Sequence, residues 1–394
     1  MNPSARLQAA IDLLDRITVA ARDQGGSADT IIAKYFAERR YAGSKDRRAI
    51  RELVYDAVRL LGARPESGRA GMLALARKRP DLADLFDGSS YGPAPVDPAE
   101  PVAKAGLLPG WLGKAMAASG LDAAEQAALL ARAPLDIRIN TLKADPAAAA
   151  AEIPGAVPLA HLSAGFRLAP DTSIEQLPAY AEGALEVQDA GSQFVSLAGG
   201  AAPGMRVIDL CAGAGGKTLA LAAAMANQGE IVACDIDRQR LSRLAPRAQR
   251  AGVTIASTLL LDPNREWEKL EDLRESADLV VIDAPCSGTG TWRRNPEARW
   301  RLTPDRLARF ADTQHRLLRL GAELVRPGGT LVHIVCSLLD AEGAGQAAAF
   351  LADHPGWSAQ PIALGVGTPR GPGLRLTPLA DSTDGFFVAK MTRP

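Results

Sequence analysis

The stretch that decides the fold reads VIDLCAGAGGKT and runs from Val207 to Thr218. Its first residues are typical of a buried β-strand, its glycines of a turn, and the residues after Thr218 of a helix. Glycines let the backbone approach a ligand closely, and the N-terminus of a helix offers free N–H groups. The stretch therefore predicts a ligand-binding turn between a strand and a helix.

Apolar runs of strand length alternate with helical patterns from about residue 200 onward. This alternation predicts an α/β fold with a doubly wound, mostly parallel sheet. In such sheets, ligands bind at the carboxyl ends of the strands. The predicted strands are 207–210, 231–233, 259–261, 279–282 and 331–335.

Three classes of ligand compete for the glycine turn. A phosphate-binding P-loop needs a glycine where this chain has Cys211, which excludes ATP. A dinucleotide-binding loop needs a third glycine after Gly213 and Gly215 at a position where none occurs, which disfavours NAD. S-adenosylmethionine remains as the third class.

Acidic residues at the ends of three successive strands favour S-adenosylmethionine. Asp209 and the glycine turn would receive the methionine moiety. Asp235 would take the ribose hydroxyls, and Asp262 could reach the adenine amine. A single aspartate after a strand often caps a turn or helix, but the set together with the glycine turn indicates a cofactor pocket.

Two later strands end at cysteines, Cys286 and Cys336. A free cysteine is usually a small buried hydrophobe, but each of these lies where a strand meets a polar loop. Carbon-5 of a pyrimidine is a poor nucleophile, and a thiolate that adds to carbon-6 makes it reactive toward a methyl donor. A second group must then remove the carbon-5 proton, and Asp283 could hold the base by its edge.

Longer motifs around these residues resemble those of the Sun/Fmu (RsmB-like) family of S-adenosylmethionine-dependent RNA cytosine-5 methyltransferases. They are DLCAGAGGKT at 209–218, DAPCSGTGTWRRNPEARW at 283–300 and VRPGGTLVHIVCS at 325–337. The resemblance covers roughly residues 130–394. It implies a Rossmann-like methyltransferase sheet that uses S-adenosylmethionine.

The resemblance also implies roles for single residues. In that family the cysteine of the last motif is the nucleophile, so Cys336 would attack carbon-6 and Cys286 would assist product release. In DNA cytosine methyltransferases the Pro-Cys cysteine attacks instead, which makes Cys286 the alternative nucleophile. Asp283 would lie near both base and cofactor. The implied cofactor pocket consists of Asp209, Cys211, Ala212, Gly213, Ala214, Gly215, Gly216, Lys217, Asp235, Asp262 and Asp283.

The charge of the chain is neutral in total and uneven in distribution. Its 45 basic and 45 acidic residues taken together argue against a nucleic-acid partner. The window from Lys34 to Arg79, however, holds 13 basic and 5 acidic residues, a net charge of +8. Helical patterns run through this window, so the sequence predicts a basic helical region that binds RNA.

The N-terminal region resembles the helical RNA-binding domain of the transcription antiterminator NusB, mainly at RRYAGSKDRRAIRELVY, residues 39–55. Bacterial family members with such an extension methylate small-subunit ribosomal RNA, which the resemblance implies as the substrate. The predicted domains are an all-α NusB-like domain at 1–95, a small α/β linking subdomain at 96–200 and the catalytic domain at 201–394.

Basic and aromatic residues after the Pro-Cys motif predict an RNA-binding loop, because arginines bind phosphates and aromatic rings stack on unpaired bases. The alternative is a loop whose tryptophans pack inward. The target base is expected in a loop or a locally opened duplex. The predicted RNA-binding residues are Arg138, Asn140, Trp292, Arg293, Arg294, Asn295 and Arg299.

The remaining expectations concern location and competing functions. Four cysteines without a CxxC pair predict no metal and no disulfide framework. The sequence lacks an apolar run of about 18–20 residues and a signal-peptide core, which favours a cytoplasmic protein without a membrane partner, expected as a monomer. The alternatives are a transfer-RNA cytosine-5 methyltransferase, a nicotinamide-dependent oxidoreductase and a noncatalytic ribosome-assembly factor. Three departures from the family pattern motivate the last of these: Val335 replaces a common Thr, Gly343 replaces a common Asn, and a His often found just before TDGFF (383–387) is missing.

Overall fold

The computed structural model describes residues 1–23 and 25–394 and divides into two compact units. Unit 1 comprises residues 1–132 and 291–303, and unit 2 comprises residues 133–290 and 304–394. The boundaries of these units do not coincide with the predicted domain boundaries near residues 95 and 200. Helices beyond residue 95 belong to unit 1, and so does the segment that follows the Pro-Cys motif.

Unit 1 is helical, as predicted for the N-terminal region. The third helix shows why: Ile50, Val54 and Ala57 recur at helical spacing and are buried, while Arg48 and Arg51 on the opposite face are exposed. The α-helices are α1 Pro3–Arg22, α2 Ala28–Glu38, α3 Ser44–Leu60, α4 Gly68–Ala76, α5 Gly110–Ala118 and α6 Ala123–Ala128, with 3-10 helices at Pro80–Leu85 and Pro296–Arg301.

The segment 291–303 packs into the core of unit 1. Trp300 joins the apolar cluster formed by the N-terminal helices. Arg299 is fully buried, and its guanidinium donates hydrogen bonds to the carbonyl oxygens of Val58 at 2.6 Å and Leu61 at 2.7 Å. Burial lowers the pKa of Arg299 to about 9, which keeps it charged at neutral pH. The last carbonyls of a helix lack partners within the helix and carry its negative dipole end, so this cation caps α3.

Replacing this buried arginine is expected to destabilise unit 1. Arg299→Met keeps much of the apolar stem but removes the guanidinium donors to the carbonyls of Val58 and Leu61, at a cost of about 3 kcal/mol. Urea unfolding measures the loss. The matched control is Arg48→Met on the exposed face of α3, expected to change stability by about 0.5 kcal/mol or less. Equal losses in the two variants would show that the buried guanidinium does not stabilise the unit.

Unit 2 contains a small antiparallel sheet at residues 135–187, the region predicted as a linking α/β subdomain. Its strand order is β2-β3-β1-β4, and Ile137, Phe166 and Leu185 form its buried core. The strands are β1 Leu135–Ile139, β2 Val157–Pro158, β3 Gly165–Leu168 and β4 Leu185–Val187, and the accompanying helices are α7 Pro146–Ala151 and α8 Pro178–Ala181.

The rest of unit 2 is built on a large mixed sheet. The strands are β5 Arg206–Asp209, β6 Glu230–Asp235, β7 Ala256–Leu260, β8 Ala277–Asp283, β9 Val325–Val335, β10 Ser358–Gln360, β11 Thr368–Arg370, β12 Gly373–Leu376 and β13 Phe386–Thr392. The helices are α9 Ala190–Leu197, α10 Gly216–Ala224, α11 Arg238–Leu241, α12 Leu244–Ala251, α13 Trp267–Leu270, α14 Pro304–Leu324, α15 Ala344–Asp353 and α16 Pro378–Asp381.

The large sheet confirms the predicted doubly wound α/β fold. Its order is β11-β12-β13-β9-β8-β5-β6-β7, with β5 to β9 parallel and β13 antiparallel to β9. Val207 and Ile208 in β5 are fully buried in two different apolar clusters, because both faces of the sheet are covered. The strand order reverses at β5, where a ligand crevice opens at the carboxyl ends of the strands.

Among the described residues, the structure contains no helix that is both long and apolar enough to cross a membrane.

Candidate active site

The predicted glycine turn connects β5 to α10. Gly213 and Gly215 adopt positive φ angles of 56° and 86°, in the left-handed region that favours glycine. A side-chain carbon added at Gly216 would meet no atom within 4 Å, so the backbone at the start of α10 is open to a ligand. Ala212 donates its N–H to the carbonyl of Cys234, and the carbonyl of Ala214 accepts from Arg247, which fixes the turn.

Asp209 lies at the end of β5 and is fully buried. One carboxylate oxygen accepts a hydrogen bond from the Thr218 hydroxyl at 2.7 Å. The other oxygen has no hydrogen-bond partner among the described residues. Burial raises the pKa of Asp209 to about 6. A buried carboxylate oxygen without a donor is unfavourable by itself and complements a ligand that brings a cation or an N–H group.

This raised pKa predicts that Asp209 makes stability depend on pH. Its ionisation opposes folding, so its stabilising contribution is complete below the ordinary pKa of 3.8 and is lost as the pH rises through about 6. A pKa rise of this size corresponds to about 3 kcal/mol. Without cofactor, the stability of the wild type relative to Asp209→Asn should fall by about that amount between pH values of roughly 4 and 7. Urea unfolding across this range provides the measurement, and a constant difference would contradict the prediction.

The two other predicted acidic residues differ in placement. Asp235 is buried and ties the turn to β6, because its carboxylate accepts the N–H groups of Gly213 and Asp237, each at 2.7 Å. Asp262 lies two residues beyond the end of β7, is partly exposed and pairs with Lys269 at 3.0 Å. The hydrogen bond from Lys269 lowers the pKa of Asp262. The structure thus joins Asp235 to the glycine turn and leaves the proposed adenine contact of Asp262 a prediction.

Lys217, in the first turn of α10, pairs with Asp283 at the end of β8. Its Nζ donates to the Asp283 carboxylate at 2.6 Å, and the lysine side chain is buried. Burial by itself would lower the pKa of Lys217, but the negative charge and hydrogen bond of Asp283 outweigh it and the pKa is raised. The electrostatic interaction with Cys336 also raises the pKa of Lys217. The ion pair of Lys217 and Asp283 therefore lies close to Cys336.

The two cysteines that the sequence predicts for one crevice are in contact. The sulfurs of Cys286 and Cys336 lie 3.4 Å apart, after the adjacent parallel strands β8 and β9. The hydrogen bond to Cys336, followed by burial, raises the pKa of the Cys286 thiol well above its ordinary value. A hydrogen bond joins the two sulfurs, and either thiol can be its donor. Cys211, by contrast, is a thiol whose pKa is raised by burial and by nearby carboxylates, Asp235 first among them.

Most of the predicted RNA-binding residues are buried within the protein, hydrogen-bonded or packed, and their contact with RNA stays a prediction. Asn140 donates to the carbonyls of Gly183 and Ala251, and Arg138 donates to Gln188. The buried residues are Arg138, Asn140, Trp292, Arg293 and Arg299. Arg294 and Asn295 are half-buried, and their contact with RNA stays a prediction. The same run of arginines and tryptophans can bind phosphate or fill a protein core, and the sequence alone does not distinguish the two.

Glu342 was not among the predicted site residues. It is fully buried, and its carboxylate accepts hydrogen bonds from Ser287 and Ser337, the residues that directly follow the two cysteines. The repeated Cys-Ser pair at the ends of two strands was the one sequence signal that pointed to a shared partner.

Comparison with known proteins identifies the family. A family model described as 16S rRNA methyltransferase RsmB/F matches residues 200–392. Ribosomal RNA small subunit methyltransferase B of Sodalis glossinidius is 33% identical over 339 residues, which covers 81% of this chain and 75% of that protein. The probable enzyme of the same name from Synechocystis is 37% identical over 271 residues, covering 66% of this chain and 60% of that protein. The match to the Thermus thermophilus relative, at 38% identity, spans 55% of its length.

Solved structures share the fold. The crystal structure of PH0851 aligns over 99% of both chains with a TM-score of 0.76 at 24% identity. A methyltransferase homologue from Pyrococcus horikoshii aligns over 73% of this chain and 100% of its own, with a TM-score of 0.61 at 26% identity. These likenesses confirm the Rossmann-like methyltransferase fold. The methyl donor of the family is S-adenosylmethionine, as predicted. The chain belongs to the RsmB/F family of 16S rRNA methyltransferases.

Proposed function

We propose that this protein methylates carbon-5 of a cytidine in small-subunit ribosomal RNA. The observation that carries the proposal is the pair of sulfurs of Cys286 and Cys336 at 3.4 Å, beside the ion pair of Lys217 and Asp283. A pair of thiols serves a reaction that needs one nucleophile and one group for the proton. Relatives named ribosomal RNA small subunit methyltransferase B support the choice of RNA.

The crevice at β5 has the features that S-adenosylmethionine requires. The open backbone at Gly216 leaves room, and the unpartnered oxygen of Asp209 would accept from the amino group of the methionine moiety. Asp235, at the end of β6, would meet the ribose. When bound, S-adenosylmethionine supplies a methyl group on a positively charged sulfur. The carboxylates of the crevice match that charge.

Cys336 would act as the nucleophile. Its thiolate forms a bond to carbon-6, and the electron pair of the C5–C6 double bond moves to carbon-5, which then takes the methyl group. The ammonium of Lys217 interacts electrostatically with Cys336, and the sulfur of Cys286 lies 3.4 Å from the sulfur of Cys336. The raised pKa of the Cys286 thiol disfavours this residue as the nucleophile, because less of it is present as the reactive thiolate.

Asp283 would select cytosine and orient it. Its Oδ2 accepts from Lys217, and its side chain remains 32% exposed. Oδ1 would accept from the exocyclic amine of cytosine. Uracil presents a carbonyl at that position, and its approach to a carboxylate would be repulsive.

Cys286 would then complete the reaction. The hydrogen bond to Cys336 is the main cause of its high pKa, and that bond is lost once Cys336 is a thioether to the base. The sulfur of Cys286, 3.4 Å from that of Cys336, lies close to the base once the adduct forms, and its thiolate can accept the carbon-5 proton. The electrons of that C–H bond restore the double bond, and Cys336 leaves as a thiolate.

Release of tritium from carbon-5 tests the proposed chemistry directly. The protein is incubated with S-adenosylmethionine and unmodified 16S ribosomal RNA that carries tritium at carbon-5 of its cytidines. One tritium released for each methyl group incorporated is the expected result. Methylation without release would place the methyl group on another atom and overturn the proposal. Methylation of transfer RNA in a parallel incubation, without methylation of 16S ribosomal RNA, would support the transfer-RNA alternative. Cofactor binding without transfer to either RNA would support a noncatalytic assembly factor.

A further inference from the structure

A buried polar network lies directly behind the two cysteines. At its centre is Glu342, in the turn between β9 and α15. One oxygen of its carboxylate accepts the backbone N–H of Ser287 at 2.8 Å. The other accepts the hydroxyl of Ser337 at 2.6 Å and also the hydroxyl of Ser287. A single side chain therefore holds the residue that follows Cys286 and the residue that follows Cys336.

Further hydrogen bonds fix the same two loops. Gln314, from α14, donates its amide to the carbonyl of Pro285 at 2.8 Å and to Glu342 at 3.2 Å. The hydroxyls of Thr289 and Ser337 lie 3.1 Å apart, and Thr289 also accepts the N–H of Leu338 at 2.9 Å. These hydrogen bonds fix Pro285, which precedes Cys286, and Ser337, which follows Cys336. They therefore restrict the position of each cysteine.

A gain in folding stability does not by itself explain why the carboxylate of Glu342 is buried behind the two cysteines. Moving a carboxylate out of water is unfavourable, and well-packed apolar residues often stabilise a core at least as well as buried polar groups do. The carboxylate of Glu342 differs from an apolar side chain in its reach and in the fixed directions from which it accepts hydrogen bonds. It has acceptor sites for several donors at fixed angles, and these donors come from two separate loops.

We propose that Glu342 is a positioning residue that sets the distance between the sulfurs of Cys286 and Cys336. The consequence for catalysis rests on the proposed function, since proton transfer between the thiols and the base depends on that distance. A displacement of about 1 Å at reacting groups can slow an enzyme by about 100-fold.

The distance between the sulfurs of Cys286 and Cys336 can be tested chemically, without RNA. In 4,4′-dithiodipyridine treatment, one cysteine thiolate attacks the reagent and releases one thiopyridone; the second thiolate then displaces the other thiopyridone and forms the Cys286–Cys336 disulfide. The rate of that second step depends on how close the sulfurs are held. Mass spectrometry of the linked peptides, in variants in which Cys211 and Cys234 are replaced by alanine, follows the product.

Two substitutions separate hydrogen bonding from packing. Glu342→Gln keeps the length and one acceptor oxygen for the N–H of Ser287, and the hydroxyls of Ser287 and Ser337 can turn to accept from its NH2 group. We therefore expect disulfide formation within about 3-fold of the parent rate. Glu342→Leu keeps the volume but removes the acceptors, and the rate should fall by about 10-fold or more. Glu266→Leu is the matched control, because Glu266 is another buried carboxylate of unit 2 that accepts hydrogen bonds from Asn264 and Arg316, away from both cysteines. It should lower stability and leave the disulfide rate unchanged.

Methyl transfer then tests the catalytic consequence. Rates at saturating RNA are divided by the amount of S-adenosylmethionine that each variant binds, which counts folded molecules. Glu342→Leu should lose about 100-fold in kcat with little change in KM for the cofactor, Glu342→Gln should retain most activity, and Glu266→Leu should match the wild type per folded molecule.

The outcomes are distinguishable. An unchanged disulfide rate in Glu342→Leu, or an equal fall in Glu266→Leu, would overturn the positioning role. A changed disulfide rate in Glu342→Leu alone, with no methyl transfer or tritium release by the wild type, would uphold the positioning role and refute the proposed function.

Discussion

Replacing Cys336 by alanine is expected to abolish methyl transfer, with a loss of about 10⁴-fold or more in kcat. Without the thiolate, carbon-5 of the base stays a poor nucleophile, and no neighbouring group substitutes for the lost bond to carbon-6. Incorporation of labelled methyl groups into 16S ribosomal RNA measures the rate. Binding of S-adenosylmethionine should persist, because Asp209, Gly216 and Asp235 are intact.

Cys234→Ala is the control for this variant. Cys234 is a fully buried thiol in β6 that belongs to the apolar core, so its loss should affect stability slightly and methyl transfer little. A protein–RNA adduct that survives denaturation and still forms in Cys336→Ala would assign the nucleophile to Cys286 instead.

Replacing Cys286 by alanine is expected to trap the protein on its substrate. The sulfur of Cys336 can still add to carbon-6, but the group that accepts the carbon-5 proton is gone, so the covalent adduct accumulates. Turnover should fall by about 10²–10⁴-fold. Denaturing gels with labelled RNA should show a protein band shifted by the RNA, at close to one RNA for each active site.

The double variant Cys286→Ala/Cys336→Ala provides the matched control and should form no adduct. Normal turnover by Cys286→Ala would show that another group removes the proton. Cys286→Ser is informative beside it, because a hydroxyl retains the size and the hydrogen bond but is a much weaker acid. It should also accumulate adduct if the group must ionise to act.

Several features of the site follow from sequence alone, because they depend on local patterns. Alternation of strands and helices makes the sheet parallel, and parallel strands end at one edge. Residues placed just after those strands must therefore meet there. Asp209, Asp283, Cys286 and Cys336 were identified in this way, and the structure brings Cys286 and Cys336 into contact.

The basic segment after the Pro-Cys motif is a place where local sequence patterns do not predict the contacts of the side chains. Arg299 and Trp300 have the composition of an RNA-binding loop, yet they lie in the core of unit 1. Their partners, at Val58 and Leu61, are more than 200 residues earlier in the chain. A local pattern carries no information on so distant a contact, and an arginine offers the same donors to a helix carbonyl as to a phosphate.

Sequence by itself determined the class of fold, the cofactor turn and the two thiols, since each depends on residue type and short-range spacing. Tertiary structure alone decided the 3.4 Å between the sulfurs, the pairing of Lys217 with Asp283 and the position of Glu342 behind both cysteines. The physical reason is that hydrogen bonds depend on distances of tenths of an ångström between groups far apart in the chain. Only the packed sheet sets those distances.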